Sequence, residues 1–132
     1  MVLAKGFHHI VITVSNAQRS KEFYMKVLRD LGWEVFHEEK DNAGLSDGKV
    51  SLWLSEPRDY KIEDNKFDRN RTGLDHFAFN IETMAELKKV EAILKKNKIR
   101  MSKEGITDDG FGGTGIFLTD PDGMKVEFHL KK

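Results

Sequence analysis

The sequence repeats one order of elements, and no other feature restricts its fold as much. Phe7-His8-His9-Ile10-Val11-Ile12-Thr13-Val14 and Leu74-Asp75-His76-Phe77-Ala78-Phe79-Asn80-Ile81 are both β-rich runs that carry a histidine. A helical pattern follows each. The first starts at Ser15 or Asn16, both able to cap a helix, with Phe23, Val27, Leu28 and Leu31 at helical spacing. The second opens on Thr83-Met84-Ala85-Glu86, the form of a capping box, and carries Leu87, Val90, Ile93 and Leu94 on one stripe. Gly32 and Asn97 are the expected helix stops. Each half closes alike, on Lys49-Val50-Ser51-Leu52-Trp53-Leu54 and Lys125-Val126-Glu127-Phe128-His129-Leu130. The closing strands are offset by 125 − 49 = 76 residues and the histidine strands by 76 − 9 = 67, which a loop insertion accounts for.

The expectation is a single α+β domain over 1–132 made of two βαβββ modules. These would form curved, cup-like mixed sheets with the helices on the outer face. Module one spans about 7–57 and module two about 73–130. The polar stretch 58–72 reads as a solvated linker; the sharper alternative is a flap using Tyr60 and Phe67.

Alternation along the strands separates two faces, because residues two apart in a strand point the same way. Ile10, Ile12 and Val14 oppose His9, Val11 and Thr13; Phe77, Phe79 and Ile81 oppose His76, Ala78 and Asn80. Val50, Leu52 and Leu54 oppose Ser51, Trp53 and Ser55; Val126, Phe128 and Leu130 oppose Lys125, Glu127 and His129. The apolar faces suit the helices. The opposite faces mix Trp53, Val11 and Ala78 with His9, His76 and Glu127, which fits a ligand cavity better than a solvent-washed sheet. Two imidazoles and a carboxylate on rigid strands can hold a divalent first-row metal with positions left open for a substrate.

Composition removes several classes. Twenty-two basic residues balance twenty-two acidic ones, so no overall basic excess favours nucleic acid as the partner. No apolar stretch approaches the ~20 residues of a membrane span, and Met1 to Gly6 has no signal-peptide core. With no cysteine, disulfides, thiolate metal sites and cysteine nucleophiles are excluded, and a cytoplasmic location is expected. The glycines from Gly105 to Gly115 lack the Gly-Lys-Ser/Thr ending of a phosphate loop and read as a flexible loop at the cavity mouth. His37, just past a short Val35-Phe36 strand, is expected in solvent.

The opening run, with Ser20, Phe23-Tyr24 and Leu31-Gly32 after it, resembles the vicinal oxygen chelate superfamily. So does the closing Phe117-Leu118-Thr119-Asp120-Pro121-Asp122-Gly123-Met124-Lys125-Val126-Glu127. That group includes glyoxalase I, fosfomycin-resistance proteins, extradiol dioxygenases and bleomycin-resistance proteins. The resemblance covers about Phe7 to Leu130. It implies His9, His76 and Glu127 as metal ligands, with His9 rather than His8 in the first strand and Glu127 also available as a base. The metal would be Fe, Ni, Zn or Mn. The repeat puts Ser51 where the glyoxalase I branch has a fourth, glutamate ligand, and serine cannot replace a carboxylate. A three-ligand site therefore fits better. Trp53, Ser51, Val11, Asn80 and His129 are the expected substrate-facing residues; Trp53 could instead line a dimer contact, and His129 could simply fill the cavity edge. The implied function is a lactoylglutathione lyase-like or dioxygenase-like metalloenzyme that chelates oxygens of a small molecule; lyase, isomerase, thiol transferase and dioxygenase reactions all stay open. The alternative is a metal-free binding protein of the bleomycin-resistance type. Similar chains form homodimers with sites at the interface.

Overall fold

The computed structural model describes all residues from Met1 to Lys132. They fall into two compact units, Met1–Ile62 and Glu63–Lys132. No helix is long and apolar enough to cross a membrane.

The first unit runs β1 (His9–Thr13), α1 (Ala17–Leu28), β2 (Glu34–Glu38), β3 (Asn42–Ser46) and β4 (Ser51–Ser55). Its sheet has the order β1-β4-β3-β2. β1 lies parallel to β4, and the other neighbours are antiparallel. The second unit repeats this with β5 (His76–Ile81), α2 (Met84–Lys96), β6 (Thr107–Asp108), β7 (Thr114–Thr119) and β8 (Lys125–Leu130), in the order β5-β8-β7-β6. Again only the first pair, β5 with β8, is parallel. Each unit is therefore the expected βαβββ module with a mixed sheet. The parallel pair follows from chain logic, since a strand–helix crossover returns the chain in the same direction, whereas hairpins reverse it.

The helices begin where cap chemistry puts them. Asn16, not Ser15, caps α1, its side-chain oxygen accepting the Arg19 N–H at 2.9 Å. Thr83 and Glu86 close the capping box on α2. The buried face of α1 differs from the expected stripe. Ala17, Ser20, Tyr24, Val27 and Leu28 are buried, while Phe23 and Leu31 are half-buried. Counting from Ala17, this stripe follows a helical period in which small Ala17 and Ser20 let the helix approach the sheet, and the large Tyr24 ring fills the space. On α2, Leu87, Val90 and Leu94 are buried as expected, and Ile93 is half-buried. They meet the apolar sheet face, where Phe79 stacks on Phe128 at 5.3 Å and meets Phe77 edge-on at 5.7 Å. Each fully buried Leu or Val contributes about 1.5–3 kcal/mol.

In β8 the two faces are not simply core and solvent. Val126 and Phe128 are buried, but so is Glu127 between them, at 6% exposure.

Candidate functional site

Glu127 is the centre of the site. It lies in β8 with Ala78 of β5 on one side and Phe117 of β7 on the other. This central position buries the carboxylate, and a buried carboxylate needs charged or hydrogen-bonding partners. It has them on the same face. Its Oε1 is 2.8 Å from His129 Nδ1, and its Oε2 is 3.6 Å from His76 Nε2. His129 is two residues further along β8, so alternation brings it to the carboxylate's side. His76 opens β5, one step diagonally from the Ala78–Glu127 rung.

His76 has a second partner. Its Nδ1 is 2.7 Å from Asp75 Oδ1, and Arg69 Nε lies 3.4 Å from Asp75 Oδ2. The His76 hydrogen bond, with Arg69 adding its charge, holds the Asp75 carboxyl below the usual carboxylate range.

Asp109 joins from the glycine-rich loop, and sequence reasoning missed it. Its Oδ1 accepts the Phe111 N–H at 2.7 Å and the Gly113 N–H at 2.9 Å, bonds that hold its carboxyl below the usual range. Its Oδ2 is 3.9 Å from His129 Nδ1. The available signal was Asp108-Asp109-Gly110, an Asp-Gly hairpin turn between short strands. The loop expected to be merely flexible thus carries its own hydrogen bonds, including the Asp109 N–H to the Gly113 carbonyl at 3.0 Å.

The ligand-type atoms of Asp109, Glu127 and His129 all lie within 4.8 Å of one another. Only His129 and Glu127 are hydrogen-bonded, with Asp109 further off at 3.9 Å: a carboxylate can only accept, so His129 Nδ1 carries the proton toward Glu127 and has no lone pair there for an ion. The His76–Glu127 pair is different. Its 3.6 Å separation is too long for a hydrogen bond. Two ligands held about 2.0–2.2 Å from one tetrahedral ion lie about 3.3–3.6 Å apart. An imidazole nitrogen and a buried carboxylate oxygen at this spacing fit a divalent first-row ion.

In the first unit His9 is exposed, in register with Ser51, and its Nδ1 lies 2.8 Å from His8 Nδ1. His8 turns its ring edge-on to His9. Val11, 56% exposed, is the rung partner of Trp53. Trp53 is half-buried, with Phe36 edge-on at 5.1 Å and His37 tilted at 5.2 Å. Gly44 opposite leaves room for the Phe36 ring, which lies 2.7 Å from where a Cβ would stand. His37 is accordingly inside β2 and half-buried, not past the strand in solvent; a register shift between Val35 and His37 breaks the alternation there. Asn80 is exposed, opposite His129.

The strand ladders also correct the alignment of the two halves. β1 pairs His9 with Ser51, whereas β5 pairs His76 with Lys125. With His9 set on His76, Trp53 and not Ser51 takes the place of Glu127. Indole is no more a metal ligand than serine, so this position of the first module offers no carboxylate.

A βαβββ module made twice, with an imidazole and a buried carboxylate on neighbouring strands, defines the vicinal oxygen chelate class of α+β proteins. The profile of the glyoxalase/bleomycin resistance protein/dioxygenase superfamily matches residues 6–128, and the chain belongs to that superfamily. Among curated relatives, metallothiol transferase FosB of Staphylococcus haemolyticus is 30% identical over 127 residues, covering 96% of this chain and 84% of its own. A solved structure of a candidate glyoxalase from Bacillus halodurans has a TM-score of 0.79 and 25% identity, covering 95% of each chain. Lactoylglutathione lyase from Agrobacterium tumefaciens, 17% identical with a TM-score of 0.72, shares the fold; 98% of this chain and 96% of that one are covered.

Proposed function

We propose that this protein is a metal-dependent thiol transferase acting on a small oxygenated electrophile, with His76 and Glu127 as metal ligands. The carrying observation is His76 Nε2 standing 3.6 Å from Oε2 of the buried Glu127. The 30% identity to a metallothiol transferase supports thiol transfer over the superfamily's other reactions. A bound Fe, Ni, Zn or Mn ion would supply Lewis acidity to a substrate oxygen, offsetting the negative charge that develops there. The thiol sulfur forms a bond to the electrophilic carbon as the carbon–oxygen bond breaks. The oxygen keeps that electron pair and the thiol proton ends on it. Glu127 is the chain's group for taking up that proton in passing, because the matching position of the first module, Trp53, offers no base. Asn80 and His129, on the strands that carry His76 and Glu127, are the side chains proposed to face the substrate. Sedimentation at micromolar concentration tests the homodimer implied by the resemblance.

The test is calorimetric titration with Mn(II), Zn(II), Ni(II) and, without oxygen, Fe(II), then mass analysis of metal-loaded protein mixed with low-molecular-weight thiols and epoxides. The expected result is ion binding by wild type, loss of at least about 100-fold in affinity in H76A and E127A, and a thiol adduct. Wild type that takes up none of the four ions would defeat this reading and favour a metal-free binding protein.

A further inference from the structure

We infer that Asp75 and His129 are positioning residues that fix which atoms of His76 and Glu127 face an ion, namely Nε2 and Oε2. The inference rests on the metal-site reading above and adds to it two residues that never touch the ion.

Asp75 Oδ1 lies 2.7 Å from His76 Nδ1. An ionised carboxylate has no proton to give, so Nδ1–H donates and the neutral ring keeps its lone pair on Nε2. His129 Nδ1–H donates to Glu127 Oε1 at 2.8 Å, which leaves Oε2 as the oxygen on the His76 side. The two free lone pairs are those of the atoms 3.6 Å apart.

Both arms are braced from behind. Arg69 Nε lies 3.4 Å from Asp75 Oδ2. Asp109 Oδ2 lies 3.9 Å from His129 Nδ1, and Asp109 is pinned by two loop N–H groups. The glycines of that loop make room for the second arm. A Cβ on Gly113 would stand 2.2 Å from Asp109 Oδ2 and 2.8 Å from His129 Cε1, and one on Gly115 would stand 3.0 Å from Glu127 Oε1. In the first unit the relation recurs, His8 Nδ1 facing His9 Nδ1 at 2.8 Å. His129, two residues from Glu127, reaches it by strand alternation, whereas Asp75 and His8, each next to its histidine, reach it by a bend of the side chain.

Nitrogen-15 spectra of the imidazole rings in the metal-free protein test the first half. The expected result is His76 and His129 as Nδ1–H tautomers, with the His76 preference lost in D75A. Titration with Mn(II) and Zn(II) tests the second. D75A and H129A should each lose about 10–100-fold in affinity. D75N and H129N should keep most of it, because an amide oxygen still accepts from Nδ1–H and an amide N–H still donates to Oε1. An Nε2–H tautomer at His76 in wild type would overturn the inference. So would D75A and H129A binding as tightly as wild type while H76A and E127A bind nothing. Wild type that binds neither ion sinks the metal-site reading instead, and the ring spectra still decide whether Asp75 and His129 set the tautomers.

Discussion

Gly115 decides how close β7 can run to the buried carboxylate. It is the rung partner of His129, and a Cβ there would stand 2.6 Å from the Phe128 carbonyl oxygen and 3.0 Å from Glu127 Oε1. A side chain could swing aside, but a strand carbonyl cannot, so the ladder itself must shift. Gly115→Ala is therefore expected to cost about 1–3 kcal/mol, as overpacking in a filled interior does. Thermal melting checks this, and a wild-type melting temperature would show that β7 can yield freely. At this scale the sequence was partly readable. His76 and Glu127 were legible because strand alternation and residue type are local facts. Asp109 was not, because its place depends on a two-residue strand, β6, that carries almost no periodic signal.

The two helices end in the same motif but with different residues at its critical position. After α1, Trp33 N–H donates to the Leu28 carbonyl and Gly32 N–H to that of Arg29. After α2, Ile99 N–H donates to Leu94 and Lys98 N–H to Lys95. The motif needs a left-handed residue, which glycine adopts without a Cβ penalty. Gly32 supplies it at φ 97°; in α2 Asn97 caps the helix as expected, and the left-handed burden falls on the next residue, Lys98, at φ 57°. Lys98→Gly should therefore stabilise the protein by about 0.5–1 kcal/mol, the relief of left-handed strain reduced by the greater freedom glycine has when unfolded. That corresponds to a rise of about 2–4 °C in melting temperature; a fall would mean that the lysine side chain contributes something its backbone strain hides. Element order, caps and the parallel first pair were legible, since each follows from short-range chemistry. Register was not. The Lys-Val match between the closing strands is two residues out of step with the hydrogen-bonded ladders, because loop lengths set the pairing and leave no mark in the strand residues.

Acid sensitivity belongs to the molecule as a whole, since each unit carries its own hydrogen-bonded carboxylate besides those of the site. In the first, Asp47 accepts the Val50 N–H at 2.9 Å and the Lys49 N–H at 2.8 Å, and these bonds, Val50 first, hold its carboxyl below the usual range. In the second, Glu91 is lowered by the Ile106 N–H at 2.9 Å and then by Lys95. A carboxyl whose folded pKa is depressed stabilises the fold above its unfolded value. That contribution is lost as pH falls from about 4 down through the lowered folded value. Asp47→Asn and Glu91→Gln should thus melt below wild type at pH 7, and the gap should close toward pH 2.5. Both tryptophans, Trp33 and Trp53, lie in the first unit, so fluorescence follows Asp47→Asn there, while far-ultraviolet dichroism reads Glu91→Gln. A gap of equal size at pH 7 and pH 2.5 would show that the charge of these carboxylates is not what the hydrogen bonds stabilise, and that the variants act through packing alone.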